Sequence, residues 1–399
     1  MNTFSSQNHK WDPFLAEPYR LLFPLGIFFA AIGVGIWIPY YLWPQSFPYP
    51  GLEHAAIQIQ GFLYCFILGF LCTMLPKVLG IKHLGVFQLS LFVLGLAGFA
   101  ITAFLQSPII SQALHLLLIL NFLAFVFMGL RKTKIHPPAT FVFIALAMTA
   151  DLIGTVVRVL ILSGIMYPLA LKMGTLLQYQ AFPLLLILGV GGFLMPKLFG
   201  NGILDPKALQ SQAGASIGVL LPLGLLFVLS YSLELQESHP ILSRIGYGIR
   251  ALIWAWFLFS RLGLHRIPAG LPAYLAGARM ALYSIGAGLL LPVFFPIYTV
   301  AWEHLIFITG FLWVTISVAT RVVFAHGGRL DLLGKNRKQT LGYGWLLVLA
   351  ALTRVCTGIW TQGYVFHLVL ASGFALIALV LWARINLPLV SRFPNGARP

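Results

Sequence analysis

The stretch "EHAAIQIQGFLYCFILGFLCTMLPKVLG" (residues 53–80) is apolar enough to cross a bilayer, yet its first turns carry a histidine and two glutamines. A membrane-spanning helix needs about 20 predominantly apolar residues. Twelve runs along the chain qualify, near residues 21–43, 54–75, 84–105, 110–130, 139–166, 173–199, 213–232, 241–261, 271–298, 302–325, 341–360 and 364–384. The pattern predicts an all-α, polytopic membrane protein whose twelve transmembrane helices form a single domain over residues 1–399.

The composition supports a membrane protein and argues against a nucleic-acid partner. Of the 399 residues, 59% are hydrophobic and 9% are charged, whereas about 25% are charged in an ordinary soluble domain. The net charge of +16 comes from basic residues in short gaps between apolar runs. This charge therefore indicates topology and anionic lipid headgroups, and the predicted partner is the lipid bilayer. Cys65, Cys72 and Cys356 lie inside apolar runs, so no disulfide framework is predicted.

The connections between the runs alternate in charge. Those at 76–83, 131–138 and 326–340 are rich in Lys and Arg. The intervening connections contain neither, with Lys172 as the exception; they include 44–53, 106–109, 232–240, 299–301 and 361–363. Because basic loops stay on the cytoplasmic side, we expect both termini in the cytoplasm and the even-numbered helices to begin on the periplasmic side.

Recurring landmarks predict an internal repeat. "MLPKVLG" (74–80) ends helix 2 and "LMPKLFG" (194–200) ends helix 6, a spacing of 120 residues. The pair Glu53–His54 recurs as Glu303–His304 after 250 residues, and His115 recurs as His367 after 252. A fixed period indicates repeated supersecondary units. We predict three four-helix units, at about 14–131, 139–262 and 271–385.

Four histidines lie in the first turns of helices that are predicted to begin on the outer side: His54, His115, His304 and His367. Imidazole is the commonest protein ligand for transition metals and also ligates haem iron, and helix bundles build such sites from facing helices. The alternative is that these rings simply sit at the headgroup level. Because the four are paired by the repeat, we predict that they form a ligand set.

Helix 2 carries a stripe of polar and small residues at helical spacing, namely His54, Gln58, Gly61, Cys65, Gly69 and Cys72. Small residues allow membrane helices to approach closely, and a flat macrocycle also needs small residues beneath it. Gln58 and Gln60 would either hydrogen-bond between helices or orient a ligand. The sequence leaves both pairs of interpretations open.

Charged residues inside the predicted membrane segments are functional candidates. Asp151 is expected to form a buried ion pair with Arg158 or Arg250. Arg158 and Arg354 lie toward the outer face, at the depth of the four histidines. Because arginine binds carboxylates through two parallel hydrogen bonds, these two residues are candidate partners for haem propionates.

The stretch "EHLIFITGFLWVTISVATRVVFAHGGRLDLLG" (303–334) resembles the NnrS family of bacterial membrane proteins. The family pattern here is a histidine, a Thr-Arg pair and then Gly-His-Thr-Gly-Arg. Those elements correspond to His304, Thr320–Arg321 and "AHGGR" at 325–329. The chain end "LWARINLPLVSRFPNGARP" is also similar to the family's ending, so the resemblance covers the whole chain.

Two further segments resemble the family with departures. Helix 2 is similar to a Trp-His-Ala-His-Glu segment followed by Gly-Phe, with His54 as the first histidine and Gly61–Phe62 as the last pair. Ala56 and Ile57 replace the second histidine and the glutamate, and Phe193 in "GGFLMPKLF" replaces an arginine. The chain is therefore identified as a divergent member.

The resemblance implies a twelve-helix protein of the bacterial inner membrane that carries haem and copper and is linked to nitric oxide stress and denitrification. The three units also resemble the catalytic subunit of haem-copper oxidases, in which helices 2 and 10 supply haem histidines. His54 and His304 would be the matching ligands, with His115 and His367 as second ligands or as a copper site. Ala56 and Ile57 remove two candidate copper ligands, so the resemblance implies haem more strongly than copper.

The leading hypothesis is a haem-binding membrane protein that senses, scavenges or reduces nitric oxide or a related small molecule near the periplasmic face. A secondary transporter of a small solute is an alternative, because repeats and buried charges also suit a substrate path. A cofactor-free assembly factor is the third. The sequence assigns no enzymatic reaction and no electron donor.

Overall fold

The computed structural model describes residues 12–165, 169–199, 206–236, 239–266, 270–335 and 337–392. Within them, twelve helices are long and apolar enough to cross a membrane. They are α1 (Tyr19–Leu42), α2 (Gly51–Leu79), α3 (Val86–Phe104), α4 (Pro108–Leu130), α5 (Phe141–Leu162), α6 (Ala170–Leu198), α7 (Ile217–Leu235), α8 (Pro240–Arg261), α9 (Ala273–Phe294), α10 (Pro296–His326), α11 (Lys338–Ile359) and α12 (Thr361–Val390). Each predicted run covers most of one helix, and the run 271–298 also includes the first three residues of α10. The predicted all-α architecture with twelve membrane helices is therefore confirmed.

When the connections are defined by the helix bounds of the structure, they alternate in charge without exception. The six connections at the end where the even-numbered helices begin contain no Lys or Arg, because Lys172 lies inside α6. Each of the five connections at the opposite end contains at least one Lys or Arg. We call these two ends the low-charge end and the basic end. Which of them faces the cytoplasm remains a prediction.

The twelve helices form a closed circuit of contacts, and three of them lie in the interior. Neighbours in sequence pack against one another, and α12 returns to contact α1. Helices α2, α6 and α10 are the most buried. In each of them at least 61% of the most apolar stretch is buried inside the protein, against at most 44% in the other nine. These three helices, the second of each predicted unit, therefore make up the interior of the bundle.

Each central helix contains a π-helical segment. These segments are Ile57–Leu63 in α2, Leu177–Ala181 in α6 and Leu305–Leu312 in α10. The second and third segments begin 120 and 248 positions after the start of the first. A π-helical segment inserts an extra residue into the helical turn and often marks a functional site. The shared position supports the three-unit repeat, whose superposition, like the likeness to haem-copper oxidases, stays a prediction.

The structural spacing differs from the spacing of the Glu-His pairs by two residues. An α-helical turn precedes the π-helical segment in both helices, Gly51–Ala56 in α2 and Thr299–His304 in α10. These turns are again 248 positions apart, whereas the Glu-His pairs are 250 apart. His304 therefore corresponds to Ala56 and not to His54.

The polar and small stripe of α2 packs along α1. A Cβ atom added to Gly69 would lie 3.0 Å from Tyr19, and one added to Gly61 would lie 3.5 Å from Phe29. At Gly26 of α1 an added Cβ would lie 2.9 Å from the Cβ of Cys65. These contacts support the close-packing interpretation of the stripe.

Candidate functional site

His54 lies in the first turns of α2 and is held by the backbone of α1. Its Nδ1 donates a hydrogen bond to the carbonyl of Gly33 over 2.7 Å. The ring of Trp37 lies beside it, with 5.5 Å between ring centroids. The approach depends on glycine, because a Cβ added to Gly33 would lie 2.5 Å from Nε2 of Gln58. The packing of α1 on α2 therefore sets the orientation of this imidazole.

His304 is the last residue before the π-helical segment of α10 and is held in the same way. Its Nδ1 donates to the carbonyl of Val300 over 2.6 Å. Because a carbonyl oxygen only accepts, Nδ1 carries the hydrogen in both neutral rings and Nε2 carries the lone pair. A backbone carbonyl on the other ring nitrogen is a usual second partner of a metal-ligating histidine. Both rings thus offer Nε2 as a ligand atom.

The structure brings three of the predicted site residues together at the low-charge end. His304 interacts electrostatically with His54, and Arg354 of α11 interacts with both rings. Arg354 also interacts with Tyr49 and Tyr364, whose hydroxyls hydrogen-bond to each other over 2.9 Å. The two imidazoles and the guanidinium are therefore near enough to interact electrostatically at this end.

His115 lies elsewhere, in a buried pair with Asp151. Its Nε2 donates to Oδ1 of Asp151 over 3.1 Å, and neither side chain is more than 1% exposed. The ring of Tyr64 packs against the imidazole, with 4.6 Å between centroids. The predicted ion pair of Asp151 with Arg158 or Arg250 is therefore wrong, because α5 presents this carboxylate to α4.

Arg158 and His367 contact residues other than the two imidazoles. Arg158 donates to Oε1 of Gln178 over 2.7 Å and to the hydroxyl of Tyr179 over 2.9 Å, so it is turned toward α6. His367 lies in the first turns of α12 between aromatic rings, with centroid distances of 5.7 Å to Trp360 and 5.6 Å to Phe366. Both lie toward the low-charge end, Arg158 in the last turns of α5 and His367 one turn from Tyr364.

A buried glutamine network links the first two units. Gln60 of α2 and Gln112 of α4 exchange two hydrogen bonds, of 3.1 and 2.9 Å. Gln178 of α6 donates to Gln112 over 3.2 Å. Gln58 donates instead to the carbonyl of Ala30 in α1 over 3.0 Å. Both glutamines of the opening stretch therefore make hydrogen bonds between helices.

A second buried network joins α6, α7, α8 and α10. Oε1 of Glu303 accepts hydrogen bonds from Nε2 of Gln180, over 2.6 Å, and from the hydroxyl of Tyr247. Arg250 forms an ion pair with Glu234. Its guanidinium also lies 4.4 Å from the ring centroid of Tyr247, which is within cation–π range. Charged and polar groups of four helices thus interact in the interior.

Sequence reasoning missed most of these polar partners. Gln112, Gln178, Gln180, Glu234 and Tyr247 received no prediction. One signal was present, because "QIQ" at 58–60 and "QYQ" at 178–180 are 120 residues apart, the same spacing as the Pro-Lys landmarks. No signal marked Glu234 as the partner of Arg250.

The residues at the low-charge end fit axial haem ligation. Such ligation needs one or two imidazoles, and His54 and His304 supply two with Nε2 available. Arg354 beside them suits a propionate. Copper usually takes several ligands, and nowhere in the described part of the chain do three or more His, Cys, Asp and Glu side chains gather to hold one metal ion. Copper ligation is therefore implied by the family resemblance and not by a cluster of this kind among the described residues.

Comparisons with known proteins bear on this arrangement. The family model described as NnrS protein matches residues 13–392, nearly the whole chain. A comparison with curated protein sequences finds no match. A match of this extent covers all twelve membrane helices and both candidate haem ligands. The chain therefore belongs to the NnrS protein family.

Proposed function

We propose that this membrane protein binds haem at the low-charge end, with His54 and His304 as iron ligands, and that it acts in the nitric oxide response or in denitrification. The role in nitric oxide metabolism is what the family resemblance implies. One observation carries the haem proposal: both imidazoles have Nδ1 bound to a backbone carbonyl, and they interact with each other and with Arg354. Bound haem would supply an iron centre for electron transfer or for binding a small molecule such as nitric oxide.

The protein's own groups would orient and hold the cofactor. The carbonyls of Gly33 and Val300 keep the two rings in the tautomer that leaves Nε2 free. Arg354 would bind a propionate. His367 is the next candidate ligand at this end, whereas the Nε2 of His115 is engaged by Asp151. We therefore do not assign His115 to the iron, nor Arg158, which donates to Gln178 and Tyr179, to a propionate.

An absorption spectrum of the purified protein tests the proposal. We expect a Soret band in the wild-type protein, and its loss or shift in the variants His54→Ala and His304→Ala. His136→Ala is the matched control, because His136 is an exposed histidine in a connection at the basic end. The control variant should keep the wild-type spectrum and the same haem content per chain.

Two outcomes would contradict this assignment. A protein purified from haem-supplemented cells with no Soret band would favour the transporter or the assembly factor. Unchanged spectra in both His54→Ala and His304→Ala would mean that other residues hold the haem. Thermal unfolding of each variant should be measured as well, so that loss of haem is not confused with loss of fold.

The sidedness of the site is a separate part of the proposal. The alternation of Lys and Arg supports a periplasmic low-charge end and cytoplasmic termini. Reporter fusions in the connections 43–50 and 131–140 would test this. A cytoplasmic signal at 43–50 would place the haem at the opposite face of the membrane.

A further inference from the structure

A cavity of about 100 Å³ lies between the central helices α2, α6 and α10, with one contact from α1. Its lining follows the three units residue by residue. At five successive positions, α2, α6 and α10 contribute one residue each, and the α6 and α10 residues follow the α2 residue by 120 and 248 positions. The first triplet is Leu63, Pro183 and Phe311, and the last is Leu71, Gly191 and Ala319.

The burial of these residues repeats in the same order. Counterparts at the first, second and fifth positions are buried in all three helices, and counterparts at the third and fourth are half-buried in all three. Ile67, Ile187 and Thr315 form one such half-buried triplet. These residues belong to the most buried helices of the bundle. All six half-buried counterparts line the cavity.

The lining suits an apolar molecule and not water. Among the described lining residues, Thr315 is the only one with a polar side-chain group. A buried water needs about two to four hydrogen-bond partners. An engineered cavity of about 150 Å³ lined by Leu, Ile and Phe stays dry and binds benzene or xenon. A cavity of this size and polarity would therefore hold a small apolar molecule in preference to water.

The lining contains a glycine at a position where a side chain would reduce the cavity. Position 191 is glycine, although its counterpart in α2 is Leu71. A Cβ added to Gly191 would meet its nearest neighbour, Phe257, at 3.6 Å, which is ordinary van der Waals contact. The surrounding structure thus has room for a larger side chain, and an unfilled cavity destabilises a protein.

We infer that this cavity is a binding site for one small, uncharged apolar molecule, of a size between a diatomic gas and benzene, that reaches it from the bilayer. The site is formed by the three central helices together with Phe23 of α1 and needs no cofactor. It begins at the ends of the π-helical segments of α2 and α10, where Leu63 and Phe311 line it, and extends toward the basic end. It contains none of the residues proposed to bind haem. Its occupancy is therefore independent of the proposed function.

Crystals of the full-length protein under xenon pressure test the inference. We expect an anomalous xenon peak among α2, α6 and α10 in the wild-type protein. Gly191→Leu should remove the peak, because the new side chain would extend into the cavity. Gly373→Leu in α12 is the matched control, since an added Cβ there meets no atom within 4 Å and the residue does not line the cavity.

A second variant that fills the cavity, Ala319→Leu, keeps the test valid if Gly191→Leu does not fold. It places at position 319 the same side chain that its counterpart Leu71 already has. The absence of xenon from the wild-type cavity would overturn the inference, and so would a peak that persists in either filling variant. Density for a lipid acyl chain in the cavity would overturn it too. Loss of the peak in the control variant would show that the effect is not local.

Discussion

The central helices are alike at one depth and different at another. At the cavity, the three counterparts at each position have similar burial, and nearly all of them are apolar. At the low-charge end, the counterparts of His54 are Gly174 and Trp302, and those of His304 are Ala56 and Leu176. The helices thus share a packing layer but not a polar layer.

The difference separates what the scaffold requires from what the site requires. Counterparts of equal burial at the cavity are what packing of the three central helices on one another requires. The polar layer has no such constraint, because each helix finds different partners: Gln60 bonds to α4, Gln180 to α10, and the counterpart in α10 is Ile308. An asymmetric site can therefore be built on a scaffold of near-equivalent helices.

The largest effect is expected from breaking the polar layer at Arg250. Arg250→Met would leave Glu234 as a buried carboxylate without its cation. Breaking a buried pair from one side typically costs about 3–5 kcal/mol. We expect a loss of that order in the free energy of unfolding, measured in detergent. Replacing both partners, as in Arg250→Met with Glu234→Leu, should recover most of it.

Arg244→Met provides the control on the same helix. Arg244 is exposed, and surface substitutions usually change stability by less than about 0.5 kcal/mol. Equal losses at positions 244 and 250 would show that the ion pair in the polar layer contributes little.

An intermediate effect is expected where α1 supports His54. Gly33→Ala would place a methyl group 2.5 Å from Nε2 of Gln58 and 2.9 Å from Ile57. Overpacking of this kind costs about 1–3 kcal/mol. We expect that loss of stability together with a changed haem spectrum, because Gly33 also accepts the hydrogen bond from His54. Thermal unfolding and absorption spectroscopy measure the two effects.

Gly35→Ala is the matched control, since an added Cβ at Gly35 meets no atom within 4 Å. It should keep both stability and spectrum. If Gly33→Ala leaves the spectrum of a stable protein unchanged, the carbonyl of Gly33 does not orient an iron ligand.

The smallest effect is expected from a permutation within the cavity layer. Leu186 and Val314 are counterparts and are equally buried, at 5% exposure each. The double variant Leu186→Val with Val314→Leu conserves the volume around the cavity, so we expect a loss below about 1.5 kcal/mol. Leu184→Val with Val314→Leu makes the same exchange at positions that are not counterparts. A greater loss for Leu186→Val with Val314→Leu than for this control would break the proposed equivalence.

Individual residues show how far sequence reasoning reached into the site. The position of His54 and His304 at the same end followed from helix direction, because both begin even-numbered helices. The prediction that His54 and His304 are counterparts was wrong. The Glu-His pairs are 250 positions apart in sequence, whereas the helical turns that contain them are 248 positions apart. Asp151 was assigned a charged partner on the same helix or on α8, whereas His115 of α4 is the residue that faces it.

Sequence alone determined the twelve membrane helices and the alternation of charge between the two ends. Both are local properties: a span requires about 20 apolar residues in succession, and its backbone hydrogen bonds must be satisfied within the helix. Only the tertiary structure decided the partners of Asp151 and Arg250, the π-helical segments and the central cavity. Those features depend on how far each helix is rotated and shifted against its neighbours. The packing of residues distant in sequence sets that rotation, and no single stretch of the chain encodes it.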